Sequence, residues 1–218
     1  MIKAVLFDID GTIVNSLGNY LQVYKKTINH FGFNFSDSEV ADRCFNKSEE
    51  DITKGLGIPE KAEEFRYYYF DLTKKTIPSL KLFPDVISTL DFLISKKIQI
   101  GLITFAYNWY MYKIVNQFNL AKYTKVIIGF NDVKNAKPNP EAVNKACKIL
   151  QIKEEDSLVI GDSKNDMLMG KNAGSKTAYY IPEENSKFYN FEAVVNEINP
   201  DYQIKKLSEI LGLVDLNK

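Results

Sequence analysis

Short apolar runs alternate with amphipathic stretches along most of the chain. Residues 2–7, 98–103, 125–128, 157–160 and 177–181 read as strands, because they are apolar on both faces and rich in strand formers. Helical patterns fill the spaces: one from Pro84 to Lys97, one from Asn108, one from Pro140 and a short one ending at Ala173. Alternation of this kind predicts a parallel sheet covered by helices on both faces. Residues 17–82 break the rhythm, with helical signals and no clear strand. There Leu17, Tyr20, Leu21, Tyr24 and Ile28 recur at helical spacing and stop before Gly32. Ser36-Asp37-Ser38-Glu39 and Ser48-Glu49-Glu50-Asp51 read as helix starts, the second with capping-box spacing. A further helix over 60–76 is closed by Pro78. The expected fold class is therefore α/β: a doubly wound, mostly parallel sheet built from 1–15 and 83–218, with an all-helical domain at 16–82 inserted.

The polar residues that interrupt this pattern sit where strands end. The first run stops at Asp8-Ile9-Asp10-Gly11-Thr12, whose carboxylates share one side if the extended backbone persists. Gly11 then permits a tight turn. The second run ends at Thr104, and a later one in Gly161-Asp162-Ser163-Lys164-Asn165-Asp166. Between them Lys137-Pro138-Asn139-Pro140-Glu141 puts a lysine before a helix start, with Asn139 as N-cap and Pro140 in the first turn. Open α/β sheets bind ligands outside the carboxyl ends of their strands, so chemistry is expected here. Plainer readings exist for each. Asp-Gly is common turn chemistry, and Asp162 and Asp166 can cap a helix. Lys137 has rivals in Lys134 and Lys164, and only its Lys-Pro-x-Pro context selects it.

Composition narrows the partners. Basic and acidic residues number 28 each, so no broad attraction to nucleic acid or an anionic membrane is expected. Arg43 and Arg66 are the only arginines, which limits bidentate anion recognition to two positions. Cys44 and Cys147 lack metal spacing and suit a reducing, cytoplasmic setting as small core residues. No apolar stretch is long enough to span a bilayer, and the first residues enter a strand instead of forming a signal peptide. His30 closes a helical pattern and reads as a partner for the helix dipole, not as a catalytic group.

The ordered set of strand-Asp-x-Asp, strand-Thr, Lys-Pro before a helix, and strand-Gly-Asp-x-x-x-Asp resembles the four signature motifs of the haloacid dehalogenase superfamily of phosphohydrolases. The first motif runs Phe7-Asp8-Ile9-Asp10-Gly11-Thr12-Ile13-Val14-Asn15-Ser16, close to the family form along its length. The likeness extends through Asn199-Pro200-Asp201-Tyr202-Gln203-Ile204 and weakens only between about Leu17 and Leu82. That helical block resembles the cap of phosphoglycolate phosphatase-like and phosphomutase-like members. The resemblance implies that Asp8 attacks phosphorus to form an aspartyl-phosphate, and that Asp10 protonates the leaving oxygen and then activates water. It implies Mg²⁺ held by Asp8, Asp162 and the Asp10 backbone carbonyl, with Asp166 either a ligand or the partner that orients Lys137. A cation suits the chemistry: at roughly 4 Å and an effective dielectric near 20, each pair of like charges costs about 4 kcal/mol. Lys137 and Thr104 would hold the phosphoryl oxygens, and Phe105 and Arg43 are further substrate candidates.

An acid at position 10 favours phosphate-ester chemistry over the dehalogenase branch, which has no alkoxide to protonate. The expected enzyme is an Mg²⁺-dependent phosphatase acting on a small phosphorylated metabolite, as a monomer or weak homodimer. A sugar phosphomutase and a non-catalytic binding module are the alternatives. Two departures from the family pattern bear on the substrate. Phe105-Ala106-Tyr107-Asn108-Trp109-Tyr110 is bulky where relatives carry small polar residues, and 183–199 lacks the glycine-rich loop common there.

Overall fold

The computed structural model describes residues 1–215. Strand β1 (Ala4–Phe7) is followed by four helices, α1 (Leu17–His30), α2 (Asp37–Cys44), α3 (Glu49–Gly55) and α4 (Ala62–Thr76). The alternating part then runs α5 (Val86–Ser95), β2 (Gln99–Ile103), α6 (Asn108–Gln117), β3 (Val126–Ile128), α7 (Glu141–Leu150) and β4 (Ser157–Gly161). It closes with α8 (Lys164–Ala173), β5 (Lys176–Tyr180), α9 (Phe191–Ile198), β6 (Tyr202–Ile204) and α10 (Ile210–Asp215). The chain divides into two compact units, Met1–Asn15 with Leu82–Lys218, and Ser16–Lys81.

In the larger unit the strands form one six-stranded sheet, ordered β3-β2-β1-β4-β5-β6, with every pair parallel. This is the α/β class that the apolar runs predict. β1 and β4 are buried along their whole length, which is why they read as unbroken apolar runs instead of alternating ones. Right-handed crossovers place α5 and α6 on one face and α7, α8 and α9 on the other. On the second face, Leu6, Ile103, Val126 and Val159 pack with Val143, Ala146 and Cys147 of α7 and Met169 of α8. Cys147 is thus a core residue, fully buried.

The direction of winding reverses between β1 and β4, which is where open sheets of this type bind ligands. The register aligns Phe7 with Leu102 on one side and Ile160 on the other. Asp8, Thr104 and Asp162 therefore follow at the same end of three adjacent strands. Val14 bridges Leu82, and Phe83 N donates to Ile13 O at 3.0 Å, so the chain leaves and re-enters this unit at one place. That bridge assigns Leu82 to the sheet unit, one residue earlier than the sequence pattern suggests.

The smaller unit is helical. Its capping box forms at Ser36, whose Oγ accepts from Glu39 N while Ser36 N donates back to Glu39 at 2.9 Å. At Ser48, where the spacing pointed, only the forward half is present: Ser48 Oγ accepts from Asp51 N, and the carboxylate bonds the hydroxyl. Tyr24 stacks on Tyr69 at 4.6 Å, and His30 stacks on Tyr68 at 4.1 Å. Among the described residues no helix is long and apolar enough to cross a membrane.

Candidate active site

The loop after β1 sets the first carboxylates. Asp8 N donates to Ile160 O at 2.8 Å, extending the pairing of β1 with β4 by one residue. Gly11 then adopts φ +79°, and Gly11 N bonds Val14 O at 2.8 Å to close the turn. A Cβ at Gly11 would lie 2.2 Å from Asp162 Oδ2, so this glycine answers both a backbone and a packing demand. The loop after β4 supplies the others. Ser163 caps α8, and its capping-box partner is Asp166, whose Oδ2 accepts from Ser163 N and Oγ at 3.1 and 2.5 Å. The plain reading of Asp166 as a cap is correct but incomplete. Its second oxygen accepts from Lys137 Nζ at 2.6 Å.

Lys137 lies in the segment before α7, and its ammonium joins the two loops. It donates to Asp8 Oδ1 at 2.5 Å, to Asp166 Oδ1 and to Ile103 O at 3.2 Å. Of the three lysines the sequence offered, Lys137 alone enters this cluster; Lys164 pairs with Glu197, and Lys134 is exposed. Helix α7 starts at Glu141, with Pro140 at the cap position and Asn139 Oδ1 accepting from Glu141 N, one residue later than the sequence pattern places it. Asp162 is held from two sides, by Thr12 Oγ1 at 3.0 Å and Asn185 Nδ2 at 3.2 Å. Thr104 is buried; its hydroxyl oxygen accepts from Ala106 N at 3.0 Å, leaving the hydroxyl hydrogen to donate elsewhere. The Asp10 side chain accepts from Tyr110 at 2.7 Å.

Carboxylate oxygens of Asp8, Asp162 and Asp166 all fall within 4.8 Å of one another, and the Asp10 carboxylate lies outside that group. One lysine faces these three buried acids, so negative charge is in excess where water is scarce. Burial dominates the shift at Asp8, Lys137 opposes it, Asp166 and Asp10 add to it, and the net effect pushes this carboxyl up to about 8. Asp162 is driven upward by burial first and then by Asp8 and Asp166. At Lys137 burial acts downward, but the two carboxylates prevail and hold the ammonium charged. Clustered hard oxygen donors with uncompensated negative charge fit a small divalent cation. Such an ion would restore the charge balance that one lysine cannot.

Two residues of this region carry no sequence motif. Asn185 is fully buried, and its amide donates to Gly11 O at 2.9 Å as well as to Asp162, linking the two acidic loops. Its Oδ1 has no hydrogen-bond partner among the described residues. A lone asparagine in the polar stretch after β5 gave no warning of this. Tyr110 stood within the conspicuous aromatic run, but its spacing alone does not reveal its partner. Phe105 packs edge-on to Phe130 at 5.4 Å. Arg43 belongs to the helical unit, where its guanidinium lies 4.6 Å from the centre of the Phe35 ring.

Comparison with known proteins agrees with this picture. A family model described as haloacid dehalogenase-like hydrolase matches residues 5–180. Pyrophosphatase PpaX of Halalkalibacterium halodurans is 30% identical, covering 98% of this chain and 97% of that protein. A Clostridium perfringens protein assigned as pyrophosphatase PpaX is 33% identical, covering 99% and 98% respectively. Among solved structures, one assigned as a phosphoglycolate phosphatase from Lactobacillus plantarum superposes with a TM-score of 0.84 at 22% identity, over 98% of this chain and 99% of that one. CbbY of Rhodobacter sphaeroides, bound to xylulose-1,5-bisphosphate, gives 0.81 at 17% identity and 96% coverage of both chains. At such identities the structural likeness speaks for the fold.

Proposed function

Because the chain belongs to the haloacid dehalogenase-like hydrolase family, we propose that it is an Mg²⁺-dependent phosphatase working through an aspartyl-phosphate on Asp8. The observation that carries this reading is the meeting of Asp8, Asp162, Asp166 and Lys137, drawn from three separate segments, at one end of the sheet. Asp8, Asp162 and the Asp10 backbone carbonyl would hold the cation, with Asp166 serving chiefly to orient Lys137. When bound, the ion offsets the repulsion between Asp8 and a phosphate dianion and polarises the phosphoryl oxygens.

The protein groups do the rest. Asp8 attacks phosphorus, and the ester bond breaks as Asp10 gives its proton to the leaving oxygen. Water, deprotonated by Asp10, then attacks the same phosphorus and releases Asp8. The Lys137 ammonium and the Thr104 hydroxyl steady the charge spread over the transferring oxygens. The helical unit 16–81 is read as a cap that excludes water and selects substrates. Its insertion just beyond the Asp8–Val14 loop supports that role. Within it Arg43 remains a candidate contact for a distal anionic group.

The relatives' name makes pyrophosphate the first compound to try, beside small phosphomonoesters. The mutase alternative is less favoured, since two relatives at 30% and 33% identity carry pyrophosphatase names. A cytoplasmic monomer or weak homodimer completes the proposal. The test is phosphate release from pyrophosphate and a panel of phosphomonoesters, with Mg²⁺ and with a chelator. Release should require the metal, and Asp8→Asn should fall roughly a thousandfold or more. Turnover undiminished in Asp8→Asn would remove the nucleophile, and an isomeric sugar phosphate instead of free phosphate would favour the mutase.

A further inference from the structure

We infer that Tyr110 is a positioning residue for the acid–base carboxylate of Asp10, a role that rests on the phosphatase reading above. The Tyr110 hydroxyl donates to Asp10 Oδ1 at 2.7 Å, although 100 positions separate the two residues in sequence. Tyr110 is only 3% exposed and Asp10 half-buried, so turning the carboxylate away would leave a buried hydroxyl without this acceptor.

The segment that delivers the hydroxyl is braced along its length. Asn108, the first residue of α6, donates its N–H to Asn131 Oδ1 at 3.1 Å, and Asn131 N returns a bond to Asn108 Oδ1 at 3.3 Å. Phe130 N donates to Ala106 O at 2.9 Å. The rings of Phe105 and Tyr107 pack on Phe130 at 5.4 and 5.1 Å. A Cβ at Gly129 would meet Asn108 Oδ1 at 2.3 Å, so the two loops approach as closely as backbone allows. The aromatic run beside Thr104 thereby fixes the start of α6 and aims the tyrosine.

The chemistry needs that fixing, because one carboxyl group serves two half-reactions. In the first, a bond forms between Asp8 and phosphorus while the ester P–O bond breaks, and the leaving oxygen keeps the electron pair and takes the proton of Asp10. In the second, a water oxygen bonds phosphorus, the Asp8–phosphorus bond breaks, and Asp10 receives the water's proton. The transferable proton must reach the same spot each time, and small misplacements of such groups are costly. With Oδ1 accepting from Tyr110, that proton is carried on Oδ2 in a fixed plane.

The test varies the leaving group. For aryl phosphates from para-nitrophenyl to para-methoxyphenyl, kcat/KM reports the first half-reaction, and the poorer leaving group depends more on protonation. Tyr110→Phe, which keeps the ring, should lose roughly tenfold more kcat/KM on the methoxy ester than on the nitro ester. Tyr110→His, still able to donate, should lie between the wild type and Tyr110→Phe. In an Asp10→Asn background the Tyr110→Phe steepening should vanish, since the group it acts through is gone. Equal losses across the series in both single variants, or steepening that survives Asp10→Asn, would overturn the positioning role. A wild-type chain that releases phosphate from no ester and not from pyrophosphate would instead sink the phosphatase reading itself.

Discussion

Among the described residues, Arg66 and Lys137 each gather two carboxylates, and the two places differ in what surrounds them. In the helical unit Arg66 pairs with Glu49 and Glu50, with side-chain exposures of 28%, 7% and 58%. In the sheet unit Lys137 pairs with Asp8 and Asp166, with side-chain exposures of 6%, 10% and 1%. Water reaches Arg66 and Glu50 but not Glu49, and among the described residues no third acid clusters with the two glutamates, which leaves the group a helix-to-helix tie. The second lies where screening is weak and a third acid, Asp162, stands within reach. Equal charge counts thus mean different things. Burial together with unbalanced charge sets the candidate cluster apart.

Removing each cation in turn sharpens that contrast. Lys137→Met strands Asp8 and Asp166 without their counterion and should cost about 3–5 kcal/mol in the metal-free protein, read from urea unfolding. A loss comparable to that at Arg66 would erase the distinction.

Titration gives the next effect. The folded Asp8 carboxyl is pushed up to about 8 from 3.8, so between those values the folded chain keeps a proton that the unfolded chain gives up. Stability of the metal-free protein should therefore fall as pH rises through this window, by as much as about 1.4 kcal/mol per pH unit for one proton. Asp162 acts in the same sense. Lys137 leaves the slope unchanged here, because its raised value lets go only in more alkaline solution. Saturating Mg²⁺ should flatten the decline, as followed by thermal melting across pH. A metal-free protein that gains stability over the same range would contradict the charge excess.

Asn185→Ala should be smaller still. It removes the amide that steadies Asp162 and the Gly11 carbonyl, and Mg²⁺ affinity by calorimetry should drop roughly tenfold. Arg66→Met should cost less than Lys137→Met, because Arg66 and Glu50 meet water and only Glu49 is left buried.

How much of this was legible beforehand varies with the distance over which each signal acts. Apolar runs announced β1 and β4 because both faces of those strands are covered, and the acids that ended them were conspicuous by contrast. Lys137 was selected among three lysines only by neighbouring prolines. Tyr110 was seen as part of a bulky loop without a partner, and Asn185 was not noticed. They act through contacts to residues 100, 174 and 23 positions away, and such contacts leave no periodic trace in a chain.

Sequence by itself determined the α/β class, the helical insertion and the acids at the strand ends, since backbone hydrogen bonding and burial impose local periods that residues must obey. Tertiary structure alone decided that Asp8, Asp162 and Asp166 share one small volume, that Lys137 bridges two of them, and that Tyr110 and Asn185 brace the rest. The physical reason is the fall of electrostatic and hydrogen-bonding energy with distance through space, which the strand order β3-β2-β1-β4-β5-β6 sets and the order of residues does not.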